Sequence, residues 1–166
     1  MALLEILTVP DARLKQVSEP VTQFDDELRA FVHDLEETMR AGPGGVGIAA
    51  PQVARFQRIV IVDVSVKPKI KHNGCMILIN PEITEWEGMA KGREGCMSVP
   101  DYTGNVIRAE RIKFTAFDVH GQQHSYESDG FEARAVQHEA DHLDGMLFLD
   151  RLVSRRTDLF RRKVYQ

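Results

Sequence analysis

The stretch FEARAVQHEADHL, residues 131–143, decides the fold of this chain. It follows Gly130, and Gly145 stands where a helix C-cap belongs, so we predict a helix along the whole stretch. His138 and His142 lie four residues apart, a little over one helical turn. Both imidazoles therefore project from one face of the helix, near enough to share a metal ion.

The residues around the two histidines indicate which class of metal site the helix can form. Glu139 directly follows the first histidine and can act as a general base on a water beside the metal. HExxH is short, however, and also arises by chance in helices rich in Glu and His. The extended zinc-protease signature HExxHxxGxxH fits Gly145, but Phe148 stands at its last position. Since no Glu occurs after Glu139, a third ligand must come from upstream unless a downstream Asp serves.

Cys96 is the natural candidate for the third ligand, within REGCMSVP at residues 93–100. A thiolate binds borderline divalent metals strongly, and Gly95 lets the backbone approach an ion closely. The alternative for Cys96 is a buried free thiol, which is the state we predict for Cys75 beside its apolar neighbours. The other four histidines are predicted to be surface residues: His33, His72, His120 and His124.

The remainder of the chain predicts an α+β fold with mostly antiparallel sheets packed around the helix at 131–143. Residues 25–40 have the apolar spacing of an N-terminal helix, capped by Asp25 or Asp26. Segment 45–52 is made of small residues and is too apolar for a free loop. Strands are predicted at four places: 59–62, 76–79, 111–119 and 123–127, with a turn at His120-Gly121.

Length and composition bound the class of protein. The 166 residues are 43% apolar and 28% charged, which is typical of a single globular domain, here 1–166. A net charge of −4 gives no whole-surface reason to bind DNA or an anionic membrane, and no apolar run approaches the roughly 18 residues of a membrane span. With two cysteines and no signal peptide, we expect a cytoplasmic protein.

The C-terminal tail, residues 151–166, differs in charge from the rest of the chain. It holds six basic residues against Asp158 alone, a charge of +5. Such a run is usually a solvated helix face, and we predict a short amphipathic helix that carries Leu152, Leu159 and Phe160. A transient contact with ribosomal RNA phosphate is the alternative use of this charge.

Three segments together resemble the signature motifs of the peptide deformylases: GVGIAAPQ at 45–52, EGCMS at 94–98 and QHEADH at 137–142. They occur in the family's order and at compatible spacing, and the similarity extends across nearly the whole chain. Met97 stands where the family more often has Leu, and Pro51 is at a variable position. The C-terminal region is also shorter than in some members.

The resemblance implies a metallo-amidase that removes the formyl group from the N-terminal formyl-methionine of nascent polypeptides and releases formate. The implied metal ligands are Cys96, His138 and His142. The family usually holds Fe²⁺ there, with Zn²⁺, Ni²⁺ or Co²⁺ as substitutes. Glu139 would carry a proton from water to the leaving amine, while the Gln52 amide and the Met97 backbone N–H would donate to the oxyanion.

The substrate is expected to lie as an extended strand along the Val46-Gly47 backbone, with Gly95 also in contact. Phe131 and Ala135 share the helical face of His138, so we expect them to line a methionine pocket, although they could also be plain core positions. Two rival functions are an HExxH zinc endopeptidase and a structural metal module, which would need a closed four-ligand site. We expect a monomer.

Asp141 precedes His142 and points to another side of the helix. We predict that it forms a structural ion pair, with Arg108 as its partner.

Overall fold

The computed structural model describes residues 3–42 and 45–162, which form two antiparallel sheets around a central helix. The strands are β1 Gly47–Ala49, β2 Ile59–Val62, β3 Met76–Glu87, β4 Ala90–Cys96, β5 Val99–Arg108, β6 Arg111–Phe117, β7 Gln123–Asp129 and β8 Leu159–Arg161. The α-helices are α1 Asp26–Ala41, α2 Gly130–Leu143 and the single turn α3 Arg155–Asp158. Short 3-10 turns occupy Ala12–Lys15, Ala50–Val53 and Phe148–Arg151. Within the described ranges, no helix has the length and apolarity that a membrane span requires.

The strands divide into a five-stranded sheet with the order β1-β2-β3-β6-β7 and a three-stranded sheet with the order β4-β5-β8. Every strand pair in both sheets is antiparallel. The predicted α+β class is therefore confirmed. Strands β1 and β4 are edge strands of different sheets, so one side of each backbone has no strand partner among the described residues.

The β2 run Ile59–Val62 is apolar throughout because both of its faces are covered. Ile59 and Ile61 pack in one cluster with α1, whereas Val60 and Val62 pack in another with α2. The first helix begins as predicted, since the Asp25 side chain accepts a hydrogen bond from the Leu28 N–H at 3.0 Å. The larger sheet is thus held between the two helices, which fixes α2 against β1 and β2.

The prediction that the apolar residues of the C-terminal tail lie in a helix is wrong. Of the described tail residues 152–162, only Arg155–Asp158 is helical, and Leu152 lies before that turn. Leu159 and Phe160 belong to β8, where they pair with Gly104 and Thr103 of β5. The strand forms because β5 offers an open edge with unpaired backbone groups, which outweighs the weak helical spacing of these residues. Residues 163–166 of the tail lie outside the described residues.

Cys75 is exposed, so the prediction of a buried thiol is wrong. It precedes the first residue of β3, Met76, whose side chain is buried. Successive side chains of an extended chain point to opposite faces, so the neighbour of a core residue faces solvent. The four histidines predicted at the surface are exposed, as expected.

Candidate metal centre and active site

Three buried side chains converge where α2 meets the end of β4. The ligand atoms of Cys96, His138 and His142 all lie within 4.8 Å of one another. The Cys96 Sγ is 3.4 Å from the His142 Nε2. The two imidazoles come from one face of α2, while the thiol comes from the last residue of β4. One thiolate and two imidazoles form a donor set that suits a borderline divalent metal ion.

Glu94 fixes the orientation of His138. Its Oε1 accepts the His138 Nδ1–H at 2.8 Å, which leaves the His138 Nε2 free for an ion. The same carboxylate accepts two hydrogen bonds from Arg108, both at 2.9 Å, and one from Arg134 at 2.7 Å. Burial alone would raise the pKa of Glu94, but the hydrogen bonds from Arg108 and His138 outweigh it and hold that pKa well below its usual value.

The two histidines titrate in opposite directions. Burial and the neighbouring His138 lower the pKa of His142, which favours its neutral, ligating form. Burial would also lower the pKa of His138, but the charge of Glu139 and the hydrogen bonds with Cys96 and Glu94 raise it. Metal binding at the His138 Nε2 therefore competes with protonation of the same ring.

Glu139 lies beside the three ligands and has an unused oxygen. Burial raises its pKa to about 7. Its Oε1 is buried, has no hydrogen-bond partner among the described residues, and lies 3.9 Å from the His142 Nε2. An unpartnered buried carboxylate oxygen is costly, so a water or another polar group beside the ion fits this position. The residues present therefore fit a metal ion with an open coordination position.

Gln52 presents its amide NH₂ to the thiol. The Gln52 Oε1 accepts the Ala49 backbone N–H at 2.9 Å, and this bond fixes which side of the amide faces the site. The Nε2 donates to the Ser98 Oγ at 3.0 Å and lies 3.4 Å from the Cys96 Sγ. The segment 45–52, predicted to be too apolar for a loop, is β1 followed by a 3-10 turn, and it brings Gln52 to the metal ligands.

A cavity of about 570 Å³ opens beside these residues, between the edge strands β1 and β4. It brings together nearly all of the predicted site residues: Val46, Gly47, Gln52, Gly95, Cys96, Met97, Phe131, Ala135, His138 and Glu139. His142 lies deeper and is 1% exposed. Gly47 is required by contact, because a Cβ at this position would lie 2.5 Å from the Glu139 Oε2. Glu139 is therefore held directly against the edge of β1.

Comparison with known proteins agrees with this geometry. Residues 3–158 match the family model described as polypeptide deformylase. The chain belongs to the polypeptide deformylase family. Members of this family are hydrolases, and the activity of this chain is accordingly the removal of the N-formyl group from formyl-methionyl polypeptides. The endopeptidase alternative is not favoured.

Individual deformylases resemble the chain over nearly its whole length. The peptide deformylase of Alkalilimnicola ehrlichii is 45% identical over 99% of this chain and 90% of its own length. That of Thermodesulfovibrio yellowstonii is 40% identical over 98% of this chain and 97% of its own. The crystal structure of the Thermotoga maritima peptide deformylase has a TM-score of 0.85 and 36% identity, covering 93% of this chain and all of that one. A Met-Ala-Ser-bound deformylase of Acinetobacter baumannii has the same TM-score and identity over 91% of this chain and 99% of its own.

Three charged residues of the ionic network beside the metal ligands were not predicted: Glu94, Arg134 and Arg151. Glu94 stands in the quoted EGCMS motif, two residues before Cys96 on the same face of β4, which was an available signal. The predicted pair of Asp141 with Arg108 is confirmed at 2.6 Å, and Arg151 also donates to Asp141, at 3.0 and 3.1 Å. Glu94 and Asp141 thus share Arg108 in one buried ionic network.

Proposed function

We propose that deformylation is carried out by Glu139, Gln52 and the Met97 backbone N–H around a divalent ion held by Cys96, His138 and His142. The observation that carries the proposal is the Glu139 Oε1, which is buried without a hydrogen-bond partner among the described residues and lies 3.9 Å from the His142 Nε2. A carboxylate that is not itself needed as a ligand is free to move a proton.

When held by Cys96, His138 and His142, a divalent ion would supply Lewis acidity to the formyl carbonyl and would lower the pKa of the attacking water. Glu139 takes a proton from that water and later delivers it to the nitrogen of the leaving amine, which frees formate. Gln52 and the Met97 N–H donate to the oxygen on which negative charge develops. Because these two donors are neutral, they stabilise the oxyanion without competing with the ligands for the ion.

The substrate peptide lies extended in the cavity between the edges of β1 and β4, where both strands have free backbone groups. Gly47 and Gly95 line the two sides of this cleft, so a peptide backbone can approach each edge closely. The methionine side chain enters the part of the cavity lined by Phe131 and Ala135. In this proposed orientation, the formyl group lies beside the side chains of Cys96 and Gln52.

The decisive experiment replaces Glu139 with Gln and measures activity and metal content on the same sample. We expect the metal to remain bound while kcat for formyl-Met-Ala-Ser falls by about 10²–10⁴-fold, as on losing a general acid–base group. Loss of metal together with activity would make Glu139 a structural residue. Unformylated Met-Ala-Ser serves as the control, because its cleavage by the wild type would indicate an endopeptidase.

We propose Fe²⁺ as the native ion. Imidazole and thiolate ligands suit both Zn²⁺ and Fe²⁺, but Fe²⁺ accepts an additional ligand more readily. A thiolate next to an accessible ferrous ion is open to oxidation, so the iron form should lose activity in air. The test is kcat/KM for the Fe²⁺, Zn²⁺, Ni²⁺ and Co²⁺ forms at matched occupancy, before and after aeration. A zinc form as fast as the iron form would contradict the assignment.

We also propose that the chain acts as a cytoplasmic monomer and touches the ribosome through the exposed Arg155 and Arg156. A reducing compartment suits the thiolate ligand Cys96. Replacing both arginines with Gln should weaken co-sedimentation with ribosomes and reduce its salt dependence. Unchanged co-sedimentation would show that these arginines do not bind ribosomal RNA.

A further inference from the structure

The strand β8 brings a guanidinium group to the wall of the substrate cavity. The Arg162 backbone N–H donates to the Asp101 carbonyl at 2.8 Å, which continues the pairing of β8 with β5. Its side chain crosses β5 and reaches Gly95, where a Cβ would lie 2.8 Å from the Arg162 Nη2. Arg162 is half-buried and lines the same cavity as Gly95, His138 and Glu139.

Among the described residues, no carboxylate pairs with the charge of Arg162. Within residues 3–42 and 45–162, no carboxylate lies within 4.0 Å of its nitrogens, and its side chain makes a single hydrogen bond, from Nη2 to the Val99 carbonyl at 3.4 Å. Arg93, whose guanidinium stacks 3.7 Å from the Phe160 ring centroid, likewise has no carboxylate partner in this part of the chain. Glu94, the nearby acid, is already neutralised by Arg108 and Arg134.

Both guanidinium groups lie on one face of β4. Glu94 and Cys96 are buried on the face toward α2, whereas Arg93 and Gly95 are on the exposed, opposite face. The methionine pocket, with Phe131 and Ala135, lies on the α2 side. Since successive side chains of an extended peptide point to opposite sides, the residue after methionine points away from α2, toward Arg162.

We propose that Arg162, supported by Arg93, forms a subsite for a carboxylate on the residue that follows the formyl-methionine. The inference rests on the proposed substrate orientation and adds a preference for Asp or Glu at that position. A guanidinium group matches a carboxylate in shape and charge. A half-exposed ion pair of this kind is weak, so we expect kcat/KM to rise by about two- to five-fold.

The test compares formyl-Met-Asp-Ser-amide with formyl-Met-Asn-Ser-amide, which differ in one charge at equal size. Amidation removes the C-terminal carboxylate of the peptide, so the Asp side chain is the only carboxylate that Arg162 can bind. We expect a lower KM for the Asp peptide, and a preference that fades as salt rises from about 0.05 to about 0.5 M. Restoring the free C-terminus on the Asn peptide shows whether the terminal carboxylate can occupy the same subsite.

Variants then identify the residue responsible. Arg162→Gln should bring the Asp-to-Asn ratio of kcat/KM to about one, and Arg162→Glu should instead favour formyl-Met-Lys-Ser-amide. The matched control is Arg161→Gln. Arg161 is exposed and points from the other face of β8, so its replacement should leave the Asp-to-Asn ratio of kcat/KM and the activity unchanged. Thermal melting checks that each variant is folded.

Two results would overturn the subsite. One is normal turnover of both amidated peptides with no preference for Asp. The other is a preference that survives in folded Arg162→Gln. Failure to release formate from any of the peptides would instead contradict the deformylase activity, and the inference with it.

Discussion

Replacing Glu94 with Gln tests whether one buried carboxylate both stabilises the fold and positions a metal ligand. Its two oxygens accept four hydrogen bonds, three from guanidinium groups and one from His138. The variant keeps the size of the side chain but removes the charge, and it turns one acceptor into a donor that faces arginine donors. Removing one partner of a buried ionic network costs about 3–5 kcal/mol.

For a chain of this length such a loss should lower the melting temperature by roughly 6–20 °C. A second effect follows from the contact with His138. Without a carboxylate at its Nδ1, the ring is less well oriented and less basic, so metal affinity should fall by about 10–100-fold. Urea unfolding of the metal-free protein measures the first effect, and competition with a chelator measures the second.

Asp141→Asn is the matched control because Asp141 also binds Arg108 but has no described contact with a metal ligand. It should lower stability by a similar amount, about 3 kcal/mol, and leave metal affinity unchanged. Equal losses of metal affinity in the two variants would refute a positioning role for Glu94. Unchanged stability in both would refute the expectation that each variant leaves a buried arginine charge uncompensated.

Three further predictions concern the site and the tail. Gln52→Leu should lower kcat by about 10²–10³-fold, whereas a rise in KM alone would show that Gln52 only binds substrate. It also leaves the buried Ala49 N–H without its acceptor, which should cost about 1–3 kcal/mol of stability. Gly47→Ala should displace the Glu139 carboxylate and lower kcat by up to about 10²-fold while metal content stays the same; wild-type kcat would contradict the close contact. Deleting residues 154–166 removes β8 and Arg162, so it should lower the melting temperature and abolish the preference for Asp after methionine, whereas a tail independent of the core would leave both unchanged.

The parts of the fold that follow from local sequence were predictable. The helix α1 and the strand β2 carry apolar patterns that match their burial on one and two faces. The helix α2 was predicted with its ligands in place, because a spacing of four residues fixes which side chains share a helical face. Met97 and Gly95 followed from the resemblance and from their position beside Cys96.

The second sheet could not be predicted in the same way. The strand β4 reads AKGREGC, and its one fully buried acidic side chain is satisfied by Arg108, 14 residues later, and by Arg134, 40 residues later. Its pattern is therefore polar on both faces, and no alternation of apolar and polar residues marks it as a strand. The strand β8 is three residues long and exists only because β5 offers it an edge. Both elements depend on contacts distant in sequence.

The ionic network has a geometric consequence for the active site. Cys96 belongs to the smaller sheet and His142 to α2, so the metal site forms only if these two elements hold one fixed register. Apolar packing alone tolerates small shifts, whereas the paired hydrogen bonds of Arg108 with Glu94 and its bond to Asp141 are directional. Buried ion pairs contribute little net stability compared with apolar packing. Their role here is therefore to fix the relative positions of the elements that carry the ligands. They tie β4, β5 and α2 together within one turn of both histidines, which keeps the thiol at ligand distance from the imidazoles.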